Sequence, residues 1–157
     1  MLKFRTILVP VDFSPVSETA LEVAHALARD HQGRMVLLHV AIPPAPAHEV
    51  YVPPEELTRL AQQAREQLEH WAHKYLDVPT DTRVMAGEPG PAIVSLAGEL
   101  SADLIVMGTH GRTGLMRLLM GSVAEWVLRH APCPVLTVRP HTRHGEEIPT
   151  DLTPAKT

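Results

Sequence analysis

Cysteine is almost absent: Cys133 is the single one in 157 residues. One thiol cannot build an internal disulfide framework, so a reducing compartment is expected and the chain reads as cytoplasmic. Long apolar runs are missing too. None approaches the roughly 20 residues that span a bilayer, so no membrane partner is expected. Positive charge is not in surplus either. The formal net charge is −4, which offers no general affinity for nucleic acid or acidic lipid. Met1 to Arg5 run straight into a strand-like segment, so no signal peptide is expected. Two glycine patterns with well-defined chemistry are also lacking, Gly-x4-Gly-Lys-Ser/Thr and Gly-x-Gly-x-x-Gly. Without them neither a P-loop NTPase nor a dinucleotide enzyme is supported. No paired carboxylates and no Ser-His-Asp arrangement mark a hydrolytic centre.

What is present fits one globular domain. Hydrophobic residues make up 45% of the chain, near the globular norm. Five short apolar runs alternate with four helical patterns, as in stacked βαβ units. The strands are expected at Phe4 to Val11, Arg34 to Ile42, Pro79 to Ala86, Asp103 to Met107 and Pro134 to Val138. The third is the most polar and belongs at a sheet edge. The first helix opens on Ser14 as N-cap with Pro15 behind it, where the missing N–H of proline costs nothing. Ala20, Leu21, Ala24, Leu27 and Ala28 form its apolar stripe, and Gly33 supplies its stop. The second helix spans about Glu55 to Leu76, with Leu57, Leu60, Ala64, Leu68, Trp71 and Tyr75 on one face. The third begins near Gly90-Pro91, after a Gly87-Glu-Pro-Gly90 turn, and the fourth runs from about Gly121 to His130. Residues 1–139 form the domain. The Pro-rich stretch Pro43 to Pro54 reads as a loop and residues 140–157 as a flexible tail.

Right-handed crossovers make an open, doubly wound five-stranded parallel sheet of order 3-2-1-4-5 the economical α/β topology. Winding reverses between the first and fourth strands, and ligands in such sheets sit at the carboxyl ends of strands flanking the reversal. Attention therefore falls on Pro10 to Ser14 and on Gly108 to Ser122. The second segment carries Gly108, Gly111, Gly114 and Gly121, four of the nine glycines. Gly108 ends a buried strand, where the backbone must approach closely. Gly111 and Gly114 permit positive φ, so that successive N–H groups can face one concavity. Gly121 and Ser122 sit where a helix N-terminus favours an anion. Together these describe a phosphate cradle.

The spacing Gly108-x2-Gly111-x9-Gly121-Ser122 resembles the ATP-binding signature of the universal stress protein family. The likeness extends to Thr6–Ser14, Leu37–Val40, Asp103–Gly111 and Cys133–Val138. It implies that Asp12 holds the nucleoside, that Pro10 and Val11 line the adenine pocket, and that Val40 pairs with the adenine edge through its backbone. Met107 and Gly108 would close the pocket floor, with His110, Gly111 and Arg112 running towards the phosphates. Gly121, Ser122 and Val123 would receive the phosphates on backbone amides. ATP is the implied ligand, with ADP or AMP as alternatives, accompanied by Mg2+ or Mn2+ held through the phosphates. The resemblance also implies a homodimer through the last strand, at Val135, Leu136, Thr137 and Val138, an apolar edge that invites pairing.

Other readings compete with these. Asp12 could simply cap the first helix, although Ser14 makes that partly redundant, and Met107 could be plain core. His70 and His73 lie one turn apart but beside Glu69 and Lys74, on a face expected to be solvated. No histidine metal site is therefore expected, and Cys133 reads as a packed residue. The functional expectation is a nucleotide-responsive stress or signalling protein, with a slow ATPase using the same pocket as the alternative. A phosphoacceptor receiver domain, which shares the fold, needs an acidic pair after the first strand and an Asp after the third. The chain has neither.

Overall fold

The computed structural model describes residues 3–42, 53–110 and 120–139. The strands are β1 (Thr6–Pro10), β2 (Arg34–Ala41), β3 (Thr80–Ala86), β4 (Leu104–Gly108) and β5 (Val135–Val138). The helices are α1 (Pro15–Asp30), α2 (Pro54–Ala72), α3 (Pro89–Glu99) and α4 (Ser122–His130), with a 3-10 turn at His73–Tyr75 after α2. Every strand pairing is parallel. The order is β3-β2-β1-β4-β5, the expected doubly wound sheet. Most of the Pro-rich loop and the whole of the 140–157 tail fall outside the described residues.

Period-two side-chain alternation divides the central strands between two cores. Ile7, Val9 and Leu37 face one layer with Leu21, Ala24, Leu68 and Trp71 from α1 and α2. Leu8, Val36, Leu38 and Ile105 face the other, with Ile93, Leu96 and Val127 from α3 and α4. Helices on both faces explain why the buried centres of β1, β2 and β4 are continuously apolar. No helix among the described residues is long and apolar enough to cross a membrane.

Ser14 caps α1 as expected, its side chain accepting from the Ser17 N–H. The other end of α1 differs. Gly33 N–H donates to the Ala28 carbonyl at 2.8 Å and Gln32 N–H to that of Arg29 at 3.3 Å, the paired bonds of a Schellman stop. Gln32, at φ 53°, takes the left-handed position. Gly33 is needed for another reason: a Cβ there would lie 2.3 Å from the Phe4 carbonyl oxygen. The glycine makes room for β1 instead of turning the helix.

Two further expectations are amended by packing. Gly87, at φ 134°, does turn the chain. Gly90, however, lies buried in the first turn of α3, where a Cβ would sit 3.1 Å from the Trp126 ring. It sets how closely α3 and α4 approach. The expected apolar face of α2 is buried only in its C-terminal half: Leu68 is fully covered, whereas Leu57 and Leu60 are 44% and 45% exposed. A helix that returns from β2 to β3 begins beyond the carboxyl ends of the strands, so its first turns have no sheet beneath them.

Candidate functional site

Between β1 and β4 the chain leaves the sheet in opposite directions, and a cleft of about 640 Å3 opens at their carboxyl ends. That is within the range of small-molecule sites. Pro10, Val11 and Asp12 line it from the end of β1, Val40 from β2, Met107 and Gly108 from β4, and His110 from just beyond β4. Gly121, Ser122 and Val123 line it from the start of α4. The fold thus gathers these distant segments around one space. Gly111, Arg112 and Gly114 lie outside the described residues.

Val40 is placed by strand parity. Arg34 N–H donates to the Arg5 carbonyl and the Leu38 carbonyl accepts from Val11 N–H, each at 2.8 Å. Even-numbered residues of β2 therefore turn their backbone groups towards β1. The β1–β2 register ends at Pro10↔Leu38, so Val40 directs its N–H and C=O past the end of β1. The Val11 carbonyl, which would continue the ladder, instead accepts from His39 Nδ1 at 2.8 Å. A donor and an acceptor side by side on an open strand edge can read the edge of a planar heterocycle.

Asp12 lies in the turn between β1 and α1. Its Oδ1 accepts from Ser14 N–H at 3.0 Å, Ser14 Oγ at 2.5 Å and Ser17 Oγ at 3.0 Å. Asp12 therefore supports the start of α1 and lines the cleft at once; the two readings of this residue do not compete. The next residue, Phe13, holds φ 63°, an uncommon conformation for a bulky side chain. Its ring is fixed between His39, with centroids 4.6 Å apart, and Trp71, edge-on at 5.4 Å.

At the floor, a Cβ on Gly108 would come within 2.5 Å of Val16 Cγ1. The glycine is kept by the approach of α1. Met107 is 5% exposed and belongs to the second core as well as the cleft. Thr109 is buried and its Oγ1 lies 3.0 Å from His110 Nδ1. At the far end, Gly121 is the N-cap of α4 with no side-chain bond to the helix. Its own N–H donates to the Thr109 carbonyl at 2.6 Å. The helix mouth thus presents the amides of Ser122 and Val123, not all three of the expected set. First-turn amides have no intrahelical acceptor and lie at the positive end of the dipole.

Sequence reasoning missed the wall opposite. Leu60, Gln63, Ala64 and Gln67 bring one side of α2 to the cleft, and Phe13, Ser17, His39 and Thr109 also line it. Leu60 and Ala64 belong to the apolar stripe legible on α2, but its upper part faces the cleft and not the core; Gln63 and Gln67 are polar and carry no apolar-period signal.

His70, on α2, and His73, in the 3-10 turn after it, are exposed, and His73 Nδ1 donates to the Glu69 carbonyl at 2.8 Å. Among the described residues, no group of three or more His, Cys, Asp or Glu is placed to hold a metal ion. Cys133 packs against the second core, and burial pushes its thiol pKa up, away from the thiolate a nucleophile needs.

Fold and cleft define an α/β protein of the doubly wound class with an open ligand-sized site at its switch point. The universal stress protein family model matches residues 3–139, and the chain belongs to that family. A universal stress protein of Methanocaldococcus jannaschii, MJ0531, is 35% identical over 143 residues, covering 87% of this chain and 82% of the relative. The solved structure of the hypothetical protein MJ0577 superposes with a TM-score of 0.80 at 30% identity, over 89% of this chain and 99% of that one. A universal stress protein solved in complex with cAMP gives a TM-score of 0.63 at 26% identity, over 88% of this chain and 99% of its own.

Proposed function

We propose that this protein binds an adenine nucleotide in the switch-point cleft, ATP foremost with ADP or AMP as lesser ligands. In this reading it acts in the cytoplasm as a stress or signalling protein whose shape or partners respond to the nucleotide. One observation carries the reading. From β2 through β1 to β4 and the α4 that follows it, the cleft is lined by Val40, whose backbone groups point past the end of β1, by the Asp12 carboxylate, and by the first turn of α4 at Ser122, whose N-cap Gly121 makes no side-chain bond. That is the order base, sugar, phosphate. The cAMP complex of a family member is consistent with it. Mg2+ or Mn2+ would ride on the phosphates, since such ions take few ligands from protein in phosphate sites.

Calorimetric titration with adenosine, AMP, ADP and ATP, each with Mg2+, tests this. Affinity is expected to rise with the number of phosphates. Equal affinity for adenosine and ATP would remove α4 from the site, and no binding by any of them would overturn the reading. Slow hydrolysis is the second reading, favoured by His110 and Ser122 both lining the cleft. Turnover lost on substituting either residue would establish it.

We further propose a homodimer through β5, involving Val135, Leu136, Thr137 and Val138. β5 is an edge strand on which Leu136 is 39% exposed, and such edges pair readily. Leu136→Lys is the better probe than a charge at Val135, which packs against the second core. Sedimentation should show a dimer for the wild type and a monomer for the variant. A monomeric wild type would dismiss the dimer.

A further inference from the structure

We propose that Ser17 is a positioning residue for the Asp12 carboxylate, and through it sets how strongly the cleft selects a ligand with vicinal sugar hydroxyls. The inference rests on the nucleotide reading above.

Asp12 is half-buried at the lip of the cleft, on a turn and not on a strand or helix. A carboxylate there would rotate freely unless something held it. Among the described residues, three donors meet on a single oxygen of it: Ser14 N–H, Ser14 Oγ and Ser17 Oγ. Ser17 is 3% exposed. Its one hydroxyl proton has two acceptors within reach, Asp12 Oδ1 and the Ser14 carbonyl, both at 3.0 Å. The carboxylate is the stronger of the two. With Oδ1 fixed, the plane of the carboxylate is fixed, and the group is pre-organised for a pair of ligand hydroxyls. Pre-organisation of this kind raises affinity by removing the ordering cost on binding.

The two serines differ in what else they do. Ser14 also caps α1, so its loss would weaken the helix. Ser17 lies three residues beyond the cap, where alanine is the best helix former. Ser17→Ala still leaves Oδ1 with both Ser14 donors, so no buried group is orphaned. The substitution therefore removes the third anchor and little else.

The test titrates ATP and 2′,3′-dideoxy-ATP, both with Mg2+, into wild type, Ser17→Ala, Asp12→Asn and the double variant. The wild type should prefer ATP by about tenfold or more, the scale of hydrogen bonds to a charged group. Ser17→Ala should lose part of that preference, about threefold, the scale of one net hydrogen bond, with ATP weakened more than the dideoxy ligand and the melting temperature held. In the Asp12→Asn background, Ser17→Ala should change nothing, because Ser17 acts only through Asp12. Several results would overturn the proposal: a preserved preference in Ser17→Ala, equal weakening of both ligands, or an undiminished effect of Ser17→Ala in the double variant. A wild type that binds both ligands equally would also overturn it, leaving nucleotide binding intact. A wild type that binds neither would remove the nucleotide reading and this inference together.

Discussion

Gly121→Val should weaken ATP binding about a hundredfold while leaving adenosine binding unchanged, on the scale of one or two hydrogen bonds to a charged group. Gly121 holds φ −75° and ψ 157°, a conformation open to any residue, so valine brings no backbone strain. What it brings is a side chain at the N-cap. Such side chains lie over the amides of the first turn, which is how polar ones cap a helix. Valine would cover the Ser122 and Val123 amides with methyl groups and offer no acceptor. Valine caps worse than glycine, at a cost of about 1 kcal/mol or less, so the melting temperature should fall by only a few degrees. Titration of both proteins with ATP and adenosine separates the outcomes. If both ligands weaken together, the substitution has damaged the fold. Unchanged ATP affinity would mean that α4 holds no phosphate.

The second large effect is on stability. Gly108→Ala should destabilise the protein by about 1–3 kcal/mol, the usual range for overpacking a core. The added Cβ would meet Val16 Cγ1 at 2.5 Å, and Val16 is a buried, β-branched residue of α1 with little freedom to turn aside. Either α1 shifts or the end of β4 does, and both border the cleft. Val16→Ala should itself destabilise by leaving a cavity, yet the double variant should lose less than the sum of the two. A coupling of about 0.5–3 kcal/mol is expected for residues in direct contact. Urea unfolding of the four proteins measures it. Strict additivity would show that Val16 is not what requires glycine at 108.

These two glycines also mark how far the primary structure can be read. That Gly108 must permit close approach followed from its place at the end of an apolar run. Which residue approaches did not: Val16 is 92 positions away in the chain, brought there by the packing of α1 across β1 and β4. Gly33 was legible as a helix stop, but the left-handed residue is Gln32 and the glycine answers to Phe4. Gly90 looked like part of a turn and proved to be a contact point for Trp126. In each case the local pattern signalled a special position, and only a partner remote in sequence supplied the reason.

The sequence by itself determined the elements, their parallel order and the two segments that meet at the switch point. Period-two and helical repeats are local properties, and right-handed crossovers leave few ways to join them. The tertiary structure alone decided the rest. It turned the middle of α2, at Leu60 and Ala64, from core into cleft wall, diverted the Val11 carbonyl to His39 so that the β1–β2 ladder stops before Val40, and gathered three donors onto one oxygen of Asp12. Those outcomes depend on where strands end relative to the helices packed on them. That is a property of the assembled layers, and no repeat within a single segment encodes it.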